Sequence, residues 1–237
     1  MTSHLDDLTQ MLFSRLATLQ DRLGSEGGHT WFLPKIAASH FAAHLATSKW
    51  SNECGLHAVS LGTARQAFES LSIIELGTVG EPGRQQLQRW EQGLMTAGNI
   101  RKWLQLNSWP SFPPGPRGAT WIEFMSGLGR ALQPYAHFSP ELLQWNMNMV
   151  RGPGPTGQAL VAIGPGSYDP NRAARVQLLR GALTLALATI MTQADPGCLQ
   201  GAEVEAVHRL RVDVDESEWL ISSHWQEVLT PHVWDVH

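Results

Sequence analysis

Arg130 and His137 stand seven residues apart in the segment Arg130-Ala-Leu-Gln-Pro-Tyr-Ala-His137. A guanidinium stabilises negative charge on a phosphate, and an imidazole titrates near neutrality, so it can take up or release a proton. Because an α-helix turns every 3.6 residues, positions seven apart lie on one face. Such a pair could grip and cleave a phosphodiester, and it could equally be a buried polar pair that holds helices in place.

A second charged pair, Arg65 and Glu69, is spaced i,i+4 and therefore shares one face of a predicted helix. The rest of that helix is rich in Leu, Ile, Ala and Phe, so we expect the pair at an interior edge or in a cleft. Buried charges need partners, and the face that carries Arg130 and His137 is a candidate. The structural alternatives are that His137 caps a helix end and that Arg130 pairs with Glu69 or Glu123.

The pattern resembles the HEPN superfamily of helical bundles, which includes prokaryotic toxins, phage-defence proteins and some eukaryotic ribonucleases. Its hallmark is Arg, four to six residues, then His, and Arg130 and His137 fall at the long end of that range. The segments 64–70 and 135–139 look like those of a bacterial HEPN-like group, and the resemblance covers roughly residues 50–195.

Two features depart from the family's ribonucleases. Ala131 follows the Arg, where a polar residue is usual, and Pro134 lies between the pair and removes a backbone donor. Pro134 and the helix-start signal Ser139-Pro140 put the pair at a bend, so helical periodicity alone does not ensure a shared face.

The resemblance implies metal-independent cleavage of RNA without a cofactor. His137 would act as general acid or base, Arg130 would stabilise charge on the phosphate, and Glu69 would orient one of them; Arg65 and Tyr135 complete the candidate set. It further implies a homodimer, since paired Arg/His motifs meet across a two-fold axis in such folds. The leading hypothesis is therefore a cytoplasmic ribonuclease-type effector of a bacterial toxin or phage-defence system.

His40 and His44 form an i,i+4 pair of the kind that can bind a metal or haem on one helix face, with His57 as a third candidate ligand. No acidic residue lies between them, so the zinc-protease motif is excluded. Because the neighbouring residues are Ala-rich and apolar, helix packing is the favoured interpretation, and we predict no metal site.

A non-catalytic sensor or scaffold is the competing hypothesis. It would bind a partner protein through Trp- and Pro-rich loops, of which the first is residues 109–118 and the second residues 152–166. Trp103, Trp109, Trp121 and Trp145 flank the first loop. An enzyme should expose the Arg130/His137 cleft, whereas a scaffold should bury both residues and expose an aromatic patch.

The elements that position these residues are helices. Of 237 residues, 43% are hydrophobic and 16% charged, which is typical of a globular core. Hydrophobic periodicity and helix-start signals predict an all-α bundle of about seven helices with a HEPN-like core and two Pro/Gly-rich loops. They fall at about residues 5–23, 34–49, 52–76, 84–106, 120–135, 140–150 and 171–193.

Residues 1–200 are predicted to form the bundle domain, and residues 201–237 an extension that packs on it. Within the extension, residues 207–214 read as a strand or a frayed helix, and residues 216–229 as a short terminal helix.

The net charge and the length of the apolar runs limit which partners and which cellular location we expect. The net charge of −4 gives no global attraction to nucleic acid, so RNA binding would need a local basic patch. Two distant cysteines indicate a reducing compartment. The longest apolar run, residues 182–191, is too short to span a bilayer, and the chain start lacks a signal-peptide pattern. We therefore expect a cytoplasmic protein without membrane contact.

Overall fold

The computed structural model describes residues 2–24, 32–137, 139–151, 159–163, 168–218, 220 and 225–229. Residues 2, 3, 147–151 and 159–163 are described by their backbone. The described residues form ten α-helices: α1 Thr2–Gly24, α2 Phe32–Glu53, α3 His57–Leu76, α4 Glu81–Glu91, α5 Ala97–Asn107, α6 Trp121–Leu132, α7 Pro140–Trp145, α8 Pro170–Ala194, α9 Ala202–Asp215 and α10 Trp225–Leu229. The all-α class is confirmed, although the helices outnumber the seven expected.

α8 is the central helix of the bundle and contacts α1, α2, α3, α9 and α10. Asp169 caps it, because its carboxylate accepts the backbone N–H groups of Asn171 and Arg172. The helix is long and apolar enough to span a membrane by length and composition, but 94% of its most apolar window is buried inside the fold. Such burial is typical of a core helix.

The single polar helix expected over residues 84–106 is wrong, because two helices occupy that stretch. Gly93 adopts φ 71°, a left-handed conformation that ends α4. Thr96 then begins α5, since its hydroxyl accepts the backbone N–H of Asn99.

The helix expected to run to residue 150 is also too long, since α7 ends at Trp145. The start signal is confirmed, because the Ser139 hydroxyl accepts the Leu142 N–H. After α7, β1 (Met147–Arg151) pairs antiparallel with β2 (Ala159–Ile163). The run Ala-Leu-Val-Ala-Ile of β2 favours a strand, and β2 lies within the stretch predicted as the second loop. The rest of that loop, residues 152–158 and 164–166, lies outside the described residues.

The described part of the C-terminal segment contains two helices, α9 and α10, which lie against the bundle. α9 contacts α1 and α8, and α10 contacts α6 and α8. The uncertain stretch 207–214 is therefore helix, within α9. The start of the helix expected over 216–229 is wrong, since residues 216–218 and 220 are not helical and the helix described in that stretch is α10. One hydrophobic core, reaching from Leu5 to Leu229, includes residues of both parts.

The first Pro-rich loop contains no α-helix and forms two short 3₁₀ turns, Trp109–Ser111 and Pro116–Gly118. Arg211 of α9 fixes it by donating to the carbonyl oxygens of Pro114 and Gly115, at 2.9 and 2.8 Å. The prolines leave backbone carbonyls without helical partners, and the guanidinium supplies donors for two of them.

Candidate functional site

Arg130 lies in the last turn of α6, and His137 follows a 3₁₀ turn, Gln133–Ala136. The helix expected to continue to residue 135 ends at Leu132, and His137 is extended at φ −140° and ψ 172°. The periodicity of one helix therefore does not relate the two residues, and the physical reason is Pro134 in the 3₁₀ turn. Both side chains are exposed.

The side chains of Arg130 and His137 have no hydrogen bond or ion pair within the part of the chain that the structure describes. The alternative partners for Arg130 are engaged elsewhere. Glu123 completes the capping box of α6 with Thr120, and Glu69 pairs with two other arginines. The prediction that Arg130 pairs with Glu69 or Glu123 is therefore wrong.

Beneath this segment lies a cluster of charges on α3 and α5, which we call the Arg65 cluster: Arg65, Glu69 and Arg101. Nη2 of Arg65 donates to Oε1 of Glu69 at 2.6 Å, and Nη1 of Arg101 lies 3.9 Å from the same oxygen. Arg65 also donates to the side-chain oxygen of Gln133, at 3.4 Å. The last contact ties the cluster to the 3₁₀ turn between Arg130 and His137.

The ring of Phe68 joins the cluster to α6. The guanidinium carbons of Arg65 and Arg101 each lie 5.8 Å from the ring centroid, at cation–π distance. A Cβ added to Gly129 would stand 3.4 Å from the same ring. The backbone next to Arg130 therefore packs on the ring that the buried Arg65 and the half-buried Arg101 both contact.

The Arg65 cluster has more donors than acceptors. Arg65 is only 3% exposed, and among the described residues its Nε and Nη1, together with Nη1 of Arg101, have no hydrogen-bond acceptor. Burial lowers the pKa of both guanidinium groups from the usual value, against the opposing effect of Glu69. Two cations share one carboxylate, so the cluster carries a net positive charge.

Tyr135 is buried, and its hydroxyl donates to the carbonyl oxygen of Leu229 in α10. The indole Nε1 of Trp145 donates to that hydroxyl at 2.9 Å and to the same carbonyl at 3.1 Å. Burial raises the pKa of Tyr135 above its usual range. The hydroxyl therefore holds α7 and α10 together, and Tyr135 positions His137 through the backbone.

His40 and His44 line a cavity of about 200 Å³ between α2, α3, α4 and α5, which we call the α2–α5 cavity. Their ring centroids are 6.0 Å apart, and burial together with the neighbouring His40 lowers the pKa of His44. Within the described residues, no group of three or more His, Cys, Asp or Glu side chains could hold a metal ion.

His57, the third residue considered as a ligand, is bound inside the protein. Its Nδ1 lies 2.7 Å from Oδ1 of Asn52, and its Nε2 accepts the backbone N–H of Asp169 at 3.2 Å. Because Nε2 is an acceptor, the proton of the neutral ring is on Nδ1. The ring therefore connects the start of α3 to the capping residue of α8.

The tryptophans beside the first Pro-rich loop mostly face inward. Trp109, Trp121 and Trp145 are buried, and Trp121 stacks on Phe112 with centroids 4.8 Å apart. All three rings form part of the core, and the stacking of Trp121 on Phe112 holds the loop from within.

Three polar or charged residues with structural roles were not predicted from the sequence. Arg101 belongs to the Arg65 cluster, and Gln133 links that cluster to the 3₁₀ turn. Glu75 is completely buried and accepts the Ser108 hydroxyl at 2.7 Å and the Trp109 indole at 3.0 Å. A charged residue inside the apolar run Leu71–Leu76 was the available signal for Glu75; the other two depend on which helices meet.

Comparisons of the chain with protein-family models, with curated proteins and with solved structures gave no match. The fold defines the class as an all-α protein.

Proposed function

We propose that this protein is a HEPN-like endoribonuclease that binds and cleaves RNA with Arg130 and His137, and that the Arg65 cluster supports them. The observation that carries the proposal is that the side chains of Arg130 and His137 are exposed and have no partner among the described residues. They lie at the two ends of a turn that contacts the Arg65 cluster. Ionisable groups that are positioned but unpaired are available to a ligand.

The charge of the site favours a phosphate over other ligands. The chain as a whole is acidic, with a net charge of −4, yet two arginines, Arg65 and Arg101, share the one carboxylate of Glu69. Arg130 and His137 flank the turn whose Gln133 contacts Arg65. Such a local excess attracts an anionic backbone where the overall charge does not. The planar guanidinium of Arg130 can donate two parallel hydrogen bonds to a phosphate.

The reaction follows from these roles. His137 takes the proton of the attacking 2′-hydroxyl, whose oxygen forms the new bond to phosphorus while the bond to the 5′-oxygen breaks. The leaving 5′-oxygen takes up a proton from the imidazolium, which returns the ring to its neutral form. Arg130 stabilises the added negative charge on the phosphoryl oxygens. Glu69 acts indirectly, because it holds Arg65 against Gln133 and the 3₁₀ turn.

The biological setting that we infer is the one that the resemblance to the HEPN superfamily implies. We infer a cytoplasmic effector of a toxin or phage-defence system that acts as a homodimer, needs no metal or cofactor for cleavage and has no membrane partner.

The test is the cleavage of single-stranded RNA, in the presence of a chelator, by the wild type, by His137→Ala and by the control His208→Ala. His208 is an exposed histidine on α9. Loss of a general acid–base group lowers the rate about 100-fold or more, whereas the control should match the wild type. An equal rate in a folded His137→Ala protein would refute the proposal.

A second candidate, a non-catalytic partner-binding protein, is favoured by one observation. Ile36 and Trp90 are exposed at the rim of the α2–α5 cavity, and Phe32, one turn before Ile36, is exposed as well. Exposed apolar groups that adjoin one another mark interaction surfaces. If RNA is not cleaved, Ile36→Asp should abolish co-purification with such a partner, and Val59→Asp, an exposed apolar control on α3, should not.

A further inference from the structure

The α2–α5 cavity is separate from the exposed Arg130/His137 pair, but it shares one residue with the Arg65 cluster. Glu69 lines the cavity and also binds Arg65. A ligand in the cavity would therefore lie beside the cluster that we propose supports a bound phosphate.

The polar part of the cavity consists mostly of groups that can be uncharged hydrogen-bonding partners. His40, His44, Gln66 and Ser72 all line it. Ser72 is buried, and its hydroxyl has no hydrogen-bond partner among the described residues. A buried hydroxyl without a partner is costly, and a ligand with donors and acceptors along its edge would supply one.

The apolar part suits a flat ring. Isoleucine side chains of α2, α3 and α5 line the cavity, together with the indole of Trp90, which is 36% exposed. A partly exposed indole offers an aromatic face, and stacking of bases on such faces is a general mode of nucleic-acid binding.

The size of the cavity and the charge of its lining limit the class of ligand that it can bind. The volume of about 200 Å³ lies below the roughly 300–1,000 Å³ of pockets for drug-sized ligands, so the occupant is small. The carboxylate of Glu69 disfavours an anion in the cavity itself, and the five other polar side chains that line it, Ser70 included, disfavour an alkyl chain. A neutral planar ring with nitrogen and oxygen atoms on its edge satisfies both conditions.

We propose that the α2–α5 cavity binds a nucleobase, with Trp90 stacking on its face and Ser72, Gln66 and His44 hydrogen-bonding to its edge. The choice of a nucleobase among planar heterocycles rests on the proposed function, since RNA bound at Arg130 would present bases beside Glu69. The cavity would then give the ribonuclease a preference for one base next to the cleaved phosphate.

The test is the binding of adenosine, guanosine, cytidine and uridine, each measured by calorimetry with the full-length chain. We expect one nucleoside to bind more tightly than the other three. Trp90→Ala should weaken that binding about 10-fold, the loss expected for one stacking contact. The matched control is Trp50→Ala, because Trp50 is an exposed tryptophan of α2 that does not line the cavity; its affinity should equal that of the wild type.

A second variant fills the cavity. Ala97→Phe places a ring into the space, and Ala46→Phe is the control, since Ala46 is exposed on α2 and is not a lining residue. Binding should be lost in the first variant and kept in the second. Absence of nucleoside binding to the wild type, or equal binding by Ala97→Phe and Ala46→Phe, would overturn the base site.

The same titration with His137→Ala separates the two proposals. The base site does not use His137, so its nucleoside affinity should be unchanged. RNA cleavage by a wild type that binds no nucleoside would overturn the base site alone. Nucleoside binding by a protein that cleaves no RNA would support the base site and overturn the nuclease.

Discussion

At Glu69, a single carboxylate oxygen meets two guanidinium groups, Nη2 of Arg65 at 2.6 Å and Nη1 of Arg101 at 3.9 Å. Glu69 is therefore the only negative charge that offsets two largely desolvated cations within the Arg65 cluster. The i,i+4 spacing predicted the first contact from the sequence. The second could not be predicted, since it depends on how α5 lies against α3.

Replacing Glu69 with Gln should lower the free energy of unfolding by about 2 kcal/mol, because the remaining buried cations lose their counter-charge. The control is Glu81→Gln, which removes an exposed i,i+3 pair with Arg84 and should cost at most about 0.5 kcal/mol. Denaturant titration measures both changes. Equal losses in the two variants would contradict the buried character of the cluster.

The buried carboxyl of Glu75 should make the stability of the protein depend on pH. Burial raises the pKa of its carboxyl from 4.5 to about 7, although the hydrogen bonds from Ser108 and Trp109 lower it. The folded state therefore holds a proton that the unfolded state releases near pH 4.5. Stability from this group is full below that pH, falls as the pH rises, and is lost above pH 7.

The wild type should lose on the order of 3 kcal/mol from this group between about pH 4.5 and about pH 8. Glu75→Gln cannot ionise, so its unfolding free energy should rise relative to that of the wild type across the same range. Denaturant titrations at several pH values give the difference between the two proteins. A difference that is constant with pH would show that folding does not change the pKa of Glu75, and would contradict this prediction.

At the scale of elements, side-chain caps were the reliable sequence signals. Ser139 and Asp169 start α7 and α8 at the predicted residues, because a hydroxyl or carboxylate satisfies the first backbone N–H groups locally. The ends were less predictable. The sequence is polar on both sides of Gly93, so no change in the apolar pattern marks the break between α4 and α5. The end of α7 depends on the pairing of β1 with β2.

His57 connects two elements in a way that acid should disrupt. Burial lowers the pKa of His57 below its ordinary 6.5, and Arg172 lowers it further against the opposing effect of Asp169. The unfolded state therefore binds the proton more readily. Stability from neutral His57 is full above about pH 6.5 and is lost as the pH falls through the folded pKa.

His57→Phe should keep the ring but leave Oδ1 of Asn52 and the N–H of Asp169 unpaired, at a cost of about 1–3 kcal/mol at neutral pH. Its deficit relative to the wild type should shrink in acid, because protonation of Nε2 removes the wild type's contact with the N–H of Asp169. The control His208→Ala changes an exposed residue and should follow the wild type. Thermal unfolding between about pH 5 and about pH 8 measures the deficit, and a deficit that grows in acid would contradict this role.

At the scale of the whole molecule, the all-α class followed from composition and periodicity, because each helix carries its own apolar stripe. The sequence did not predict which residues of the site meet in space. Arg65 and Gln133 are 68 positions apart in the chain and meet at 3.4 Å, and only the packing of α3 against α6 and the 3₁₀ turn brings them together. The α2–α5 cavity likewise needs four helices, so no single segment could indicate it.

The most direct measurement is the rate of RNA cleavage by the wild type, Arg130→Ala, His137→Ala and the double variant. Two groups that act on one phosphate work as a unit, so their losses do not add. We expect each single variant to lose about 100-fold or more, and the double variant to lose little beyond the larger single loss. Wild-type rates in either folded single variant, or the absence of cleavage by the wild type, would contradict the account.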